Sequence, residues 1–158
     1  MDDITQKCGK THADWATNFT AAFANTLLTT VKKQNDGTTF LLTGDIPAMW
    51  LRDSTAQVRP YLVIAKEDEE LADMISGLVK KQFFYISIDP YANAFNEEAN
   101  GAGHQTDHTK MNDWIWERKY EVDSLCASLY LAYQYYNETL DTSIFTEEFH
   151  EMMEKIVE

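Results

Sequence analysis

Apolar side chains recur at three- and four-residue spacing along most of the chain, the pattern of helices that bury one face. This spacing predicts helices over residues 12–34, 67–84, 121–137 and 146–158. No repeat, linker or low-complexity tract interrupts the series. The predicted fold class is therefore all-α.

Several segments between these helices break the pattern. The Asn-Asp-Gly turn ends the first helix because glycine accepts a positive φ, and residues 38–44 are then predicted to form a short strand. A further helix is expected to begin at "STAQV", capped by Asp53 or Ser54, and Pro60 either kinks it or ends it at Arg59. Residues 91–114 have no periodicity, and a loop of that length in a compact domain is usually functional or disordered.

Composition narrows the class of protein. At 158 residues and 44% hydrophobic content the chain has the size and make-up of one globular domain. Its 26 acidic and 13 basic residues give a net charge of −13, which excludes a nucleic-acid partner because phosphates require clustered Lys and Arg. There is no apolar run of the roughly 20 residues that span a membrane and no signal-peptide layout. Two distant cysteines, Cys8 and Cys126, predict free thiols, and we expect a soluble, cytoplasmic protein.

The first stretch with chemical character is "TGDIPAMWLRDSTAQVRPYL", residues 43–62. It places Trp50 beside the opposite charges of Arg52 and Asp53. A guanidinium and a carboxylate can hold vicinal hydroxyls through directed hydrogen bonds, and an indole face packs on the apolar face of a sugar ring. The alternative from these residues alone is an Arg–Asp salt bridge at a helix start, with Trp50 in the core.

A second stretch, "NDWIWERKYEVDSLC" at 112–126, interleaves tryptophans with charges of both signs. Its local alternative is a solvated helix start with two anchoring tryptophans. Just upstream, "HQTDH" contains His104, Asp107 and His108, which have ligand chemistry but no predicted helix to hold them in position. We therefore expect no metal site.

Both stretches resemble signature blocks of glycoside hydrolase family 125, whose members are exo-acting α-1,6-mannosidases. The resemblance covers the whole chain but only the front part of the family's length. It implies an (α/α)6 toroid of helical hairpins, of which residues 1–158 would be the N-terminal portion of a single catalytic domain. It also implies hydrolysis that inverts the anomeric centre, needs no metal or cofactor, and releases mannose from non-reducing ends of a mannose-containing oligosaccharide.

The resemblance implies which residues bind the sugar, but it does not assign the catalytic acid and base to residues of this chain. Inverting glycosidases use two carboxyl groups about 6.5–9.5 Å apart, and both are expected downstream of Glu158, so no catalytic residue is assigned here. Asp45 is expected to satisfy backbone donors of its own turn. The residues expected to bind the sugar are Trp50, Arg52, Asp53, His104, Trp116, Glu117 and Lys119.

The length of the chain supports the expectation that it is only part of a toroidal domain. Six hairpins need about twelve helices, several hundred residues with their loops, and an apolar stripe continues to the last residues of this chain. We expect the fragment alone to be inactive and to have the missing C-terminal part as its partner. A non-catalytic carbohydrate-binding module, a helical assembly module and a divalent-metal hydrolase are the other readings that the residues leave open.

Overall fold

The computed structural model describes all residues, 1–158, and divides them into two compact units, Met1–Val31 and Lys32–Glu158. The first unit contains α1 (Asp2–Cys8) and α2 (Ala13–Thr29). Only Ala16 of these two helices is buried, although α1 packs on α2. None of the helices in the chain is long and apolar enough to cross a membrane.

The second unit is built around one long central helix. Its elements, together with the strand that begins at the boundary, are β1 (Val31–Lys33), β2 (Thr39–Leu41), β3 (Met49–Trp50), α3 (Leu51–Val58), a 3-10 turn (Arg59–Tyr61), α4 (Leu62–Ala65), α5 (Glu69–Ile88), β4 (Ala94–Phe95), β5 (Ile115–Glu117), α6 (Val122–Thr139) and α7 (Glu147–Val157). Helix α5 packs against β2, α6 and α7, and α3 packs against α6. More than half of the α5 side chains are buried.

Local sequence explains where these helices begin. The Asp68 side chain accepts a hydrogen bond from the Leu71 N–H at 3.1 Å and caps α5. Thr146 caps α7 in the same way, accepting from the Phe149 N–H at 3.3 Å. Helix α5 ends at Ile88, before the Asp89–Pro90 pair, because the residue before a proline disfavours helical backbone.

The helical predictions for 67–84, 121–137 and 146–158 are confirmed within a few residues, and the strand within 38–44 is confirmed as β2. The first predicted helix is too long, because the chain leaves α2 after Thr29 and enters β1. The short helix α1 was not predicted, since it buries no apolar face.

The all-α expectation is right for most of the chain but wrong about two small sheets. Strands β1 and β2 form one, and β3, β4 and β5 form the other in that order. The predicted start of α3 is also wrong, because the helix begins at Leu51 and neither Asp53 nor Ser54 caps it. Ser54 Oγ instead donates to the Leu51 carbonyl at 3.0 Å. Of the two outcomes expected at Pro60, the structure shows an end of the regular helix, at Val58 instead of Arg59, followed by the 3-10 turn.

Candidate functional site

The three-stranded sheet brings the two sequence blocks together. Trp50 on β3 and Glu117 on β5 are both paired with Ala94 on the central strand β4. Residues that share a register position lie on the same face of a sheet. Trp50 and Glu117 are 67 positions apart in the sequence (117 − 50), yet the sheet places them on either side of the same residue of β4.

Asn93, which precedes β4 and is buried, connects both blocks by hydrogen bonds. Its Nδ2 donates to Glu117 Oε2 at 2.8 Å, and its Oδ1 accepts from the Lys119 N–H at 3.1 Å. Its carbonyl accepts from the Leu51 N–H at 3.1 Å. The first residue of α3 and the end of β5 are thus held by one side chain and its backbone.

The Glu117 carboxylate is more buried than the Arg52 and Asp53 side chains. Its side chain is 12% exposed and forms an ion pair with Lys119 Nζ at 2.5 Å. Burial acts to raise the pKa of the Glu117 carboxyl, but hydrogen bonds from Lys119 and Asn93 hold that pKa below its ordinary value of 4.5. The Trp50 side chain acts in the same direction. Glu117 is therefore an ionised hydrogen-bond acceptor at neutral pH.

Arg52, Asp53 and Trp50 line an open cleft of about 700 Å³. The Arg52 and Asp53 side chains are each 48% exposed, so neither is sealed within packed helices. The other lining residues are Thr43, Gly44, Ile46, Ala56 and Gln57. A volume of this size is that of small-molecule sites in general.

Acidic residues at the start of α6 hold Arg52. Its Nη1 donates to Asp123 Oδ2 at 2.9 Å and lies 3.9 Å from Glu121 Oε2, and its Nη2 lies 3.5 Å from Asp53 Oδ2. The hydrogen bond to Asp123 raises the pKa of Arg52, and the same bond lowers the pKa of Asp123. These contacts hold the charged guanidinium in one orientation, and part of its surface remains open to the cleft.

Buried polar groups support α3 from behind. Gln82 on α5 is fully buried, and its Nε2 donates to the Leu51 carbonyl at 3.1 Å, Ser54 Oγ at 2.9 Å and Thr55 Oγ1 at 3.0 Å. These contacts fix the turn of α3 that carries Arg52 and Asp53. A half-exposed ionic pair on a buried polar support can keep its geometry without a ligand.

The turn before β3 is held by Thr43 and not by Asp45. Thr43 Oγ1 donates to the Ala48 carbonyl at 3.1 Å and accepts from the Trp50 N–H at 3.2 Å. Asp45 is exposed, and its predicted role in satisfying backbone donors is not observed.

His104 and Trp116 form a separate pair that does not line the cleft. The His104 N–H donates to the Trp116 carbonyl at 2.8 Å, and the two ring centroids are 6.5 Å apart. The loop approaches β5 so closely here that a Cβ on Gly103 would lie 2.4 Å from the Trp116 carbonyl oxygen. The structure thus brings together Trp50, Arg52, Asp53, Glu117 and Lys119, and leaves His104 and Trp116 beside them.

The residues proposed as an alternative metal site do not form one. No group of three or more His, Cys, Asp or Glu side chains in the chain has an arrangement that could hold a metal ion. His104 and Asp107 meet only through a backbone hydrogen bond of 3.0 Å.

Sequence reasoning missed Asn93, Gln82, Thr43 and Asp123 as parts of this site. Asn93 offered no signal in the sequence, since it lies in a segment without periodicity, just before the two-residue strand β4. Asp123 lies within the second block, but nothing in the sequence paired it with Arg52 across 71 positions.

The chain is similar to known proteins over nearly all of its length. Residues 12–158 match the family described as metal-independent alpha-mannosidase (GH125). The meiotically up-regulated gene 157 protein of Schizosaccharomyces pombe is 38% identical, over 92% of this chain and 31% of that protein. A solved structure of a metal-independent alpha mannosidase from Streptococcus pneumoniae, in a non-productive substrate complex with α-1,6-mannobiose, is 52% identical with a TM-score of 0.95. It is matched over 99% of this chain and 37% of its own, so the chain spans about a third of the length of each relative.

Proposed function

Because the chain belongs to glycoside hydrolase family 125, the metal-independent α-mannosidases, we propose that it is the sugar-holding N-terminal portion of such an enzyme. The complete enzyme would release α-1,6-linked mannose from non-reducing ends with inversion at the anomeric carbon. The complex of the Streptococcus pneumoniae relative with α-1,6-mannobiose supports this choice of linkage. The proposed substrate is a mannose-containing oligosaccharide.

The observation that carries the proposal is the open cleft beside Arg52 and Asp53. A pyranose offers vicinal hydroxyls at its rim and C–H groups on its face. Arg52 can donate to hydroxyl oxygens while Asp53 accepts from hydroxyl protons, and the Trp50 indole supplies an apolar wall. Glu117 and Lys119 then act from the end of β5 and the residues after it, while His104 and Trp116 are proposed as more distant contributors.

The proposed reaction needs two further carboxyl groups. In an inverting mechanism one protonates the leaving oxygen and the other activates water on the opposite face of the ring. We propose that the region of the relatives downstream of the part matched here supplies both. The same region would complete the (α/α)6 toroid, of which this chain would form the first hairpins.

A chimera tests the proposal. The matching part of the Streptococcus pneumoniae enzyme is replaced by this chain, and mannose release from α-1,6-mannobiose is measured. We expect the chimera to be active, and Arg52→Ala to lower its kcat/KM by about 100-fold or more, because a directed charged hydrogen-bond donor is lost. Arg59→Ala is the matched control, since Arg59 does not line the cleft and its guanidinium lies over the Tyr130 ring, 5.3 Å from its centroid.

Two results would contradict the proposal. Unchanged activity of the Arg52→Ala chimera would remove Arg52 from the sugar site. Release of mannose by the 158-residue chain alone would show that the acid and base lie within it. Proton NMR of the first product formed, which distinguishes the two anomers, tests inversion.

A second candidate function is that of a helical assembly module. The observation that favours it is the outer side of α6, where Val122, Tyr130 and Tyr133 are exposed. Large apolar side chains that are exposed on the same helix can contribute to an interaction surface. A stable oligomer in light scattering, with no effect of mannose on the melting temperature, would favour this function over sugar binding.

A further inference from the structure

We propose that Tyr91 and Tyr120 form a second sugar-binding surface, which stacks on a pyranose unit further along the same oligosaccharide. This inference rests on the proposed function for the identity of the ligand. It goes beyond that function because it assigns a site to residues outside the cleft.

The two tyrosines form an exposed aromatic pair. Tyr91 is 55% exposed and Tyr120 is 60% exposed, and their ring centroids lie 5.5 Å apart with 46° between the ring planes. Together the two tilted rings expose apolar ring area, and each ring carries a hydroxyl group. That combination matches a sugar ring, which is apolar on its face and polar at its rim.

The pair is held in place before any ligand arrives. Asp89 Oδ1 accepts from the Tyr91 N–H at 2.8 Å, and Asp89 Oδ2 accepts from Arg118 Nε at 2.6 Å. The Arg118 guanidinium in turn lies over the Tyr91 ring, 5.3 Å from its centroid. Arg118 is 19% exposed, so this support is largely enclosed. A surface aromatic fixed in this way loses little conformational entropy on binding.

The surface continues from the candidate site. Tyr120 stands between Lys119, which is paired with Glu117, and Glu121, which lies 3.9 Å from Arg52. Neighbouring Cα atoms are about 3.8 Å apart, so the backbone of Tyr120 adjoins that of Glu121, whose carboxylate lies 3.9 Å from the cleft residue Arg52. Arg118 and Tyr120 contact Tyr91. Glu121 lies 3.9 Å from Arg52, so the residues on the two sides of Tyr120 belong to the two surfaces.

The charges favour a neutral ligand. The chain carries a net charge of −13, and the one cation over the Tyr91 ring is paired with Asp89. A nucleic acid or an anionic lipid would need unpaired basic residues at this surface. A neutral oligosaccharide requires only hydrogen bonds and stacking.

The test uses the 158-residue chain and compares ligand lengths. Affinities for methyl α-mannoside and for α-1,6-linked mannotetraose are measured by chemical-shift titration. In the double variant Tyr91→Ala with Tyr120→Ala, we expect the tetrasaccharide to bind about fivefold more weakly, and the monosaccharide to change by less than about twofold. The matched control is Tyr130→Ala with Tyr133→Ala, which removes another exposed tyrosine pair from α6, with ring centroids 6.5 Å apart.

A second measurement does not depend on the stability of any variant. In the wild-type chain, side-chain resonances of Tyr91 and Tyr120 should shift with the tetrasaccharide and not with the monosaccharide. Equal shifts with both ligands, or none with either, would overturn the proposal. So would an equal effect of the two double variants on tetrasaccharide affinity.

A separate variant, Arg52→Ala, distinguishes a failure of the proposed function from a failure of the second sugar-binding surface. Arg52→Ala should weaken the binding of both ligands. If it does while the tyrosine resonances remain unmoved, the cleft binds sugar and the second surface does not. If the tyrosines respond and Arg52→Ala has no effect, the second surface stands and the assignment of the cleft fails.

Discussion

Glu117 and Arg52 lie at two ends of the same candidate site, and opposite kinds of surroundings hold them. Glu117 is 12% exposed and receives a hydrogen bond from the buried amide of Asn93. Arg52 is 48% exposed and its partner Asp123 is a surface carboxylate. The Glu117 end thus belongs to the packed interior of the sheet, whereas the Arg52 end lies in solvent at the starts of two helices.

The difference in exposure between Glu117 and Arg52 indicates how the protein should respond to substitutions at each end of the site. A buried charge that loses a hydrogen-bond partner costs the full desolvation of that charge, whereas exposed ion pairs contribute little to stability. Substitutions at the Glu117 end should therefore alter folding, and those at the Arg52 end should alter sugar binding with the fold intact. The predictions that follow test this contrast from the largest expected effect to the smallest.

Gly103→Ala, beside the Glu117 end, should have the largest effect. The new Cβ would lie 2.4 Å from the Trp116 carbonyl oxygen, and φ at this position is +100°. We expect the free energy of unfolding to fall by about 3 kcal/mol in urea denaturation. Gly44→Ala, in the cleft, is the matched control, because φ is +70° but nothing lies within 4 Å of the new Cβ. Its expected loss is about 1 kcal/mol, and equal losses would contradict a close contact at Gly103.

Asn93→Ala should come next. It removes a donor from the Glu117 carboxylate and an acceptor from the Lys119 N–H. We expect a loss of about 1–3 kcal/mol in the free energy of unfolding, because both groups are left without this partner. The control Asn137→Ala replaces an exposed asparagine on α6 and should change stability by less than about 0.5 kcal/mol. Equal effects of the two variants would show that Asn93 does not anchor this end.

The sequence predicted the long helices because their apolar faces repeat with the period that packing requires. It did not predict the sheet of β3, β4 and β5, because strands of two or three residues are too short to show an alternating pattern. That sheet is what places Trp50 and Glu117 on either side of Ala94. Each of the two blocks could be recognised in the sequence by itself. Their proximity in the fold depends on pairing between distant strands, which no local sequence pattern indicates.

The residues of the candidate site likewise divide into those with a local sequence signal and those brought in by long-range contacts. Trp50, Arg52 and Asp53 could be proposed as sugar-binding residues from the sequence, because they are close together in it and chemically suited to a sugar. Their supports were not predictable: Gln82 reaches α3 from 27 positions away, and Asn93 reaches Glu117 from 24. Buried amides of this kind carry no periodicity, so only the fold reveals them.

Acid titration should separate the two ends further. The pKa of Glu117 lies below its ordinary value of 4.5 in the folded chain, so its ionisation stabilises the fold above that pH and the contribution is lost as pH falls through the folded pKa. The difference in free energy of unfolding between wild type and Glu117→Gln should therefore shrink from pH 6 to pH 3. Carbon NMR of the Glu117 carboxyl group gives the midpoint directly. A midpoint above 4.5 would contradict the hydrogen bonds described here.

Asp123→Asn should have the smallest effect on the fold. Its partner Arg52 is half exposed and retains Asp53 and Glu121 nearby, so we expect the urea midpoint to stay within experimental error. The pair should still be visible in a titration, because the hydrogen bond from Arg52 holds the pKa of Asp123 below its ordinary value of 3.8. In Arg52→Gln that pKa should rise towards 3.8, while in the control Arg59→Gln it should not move. A large loss of stability in Asp123→Asn would place this end in the packed interior as well, and the contrast with Glu117 would disappear.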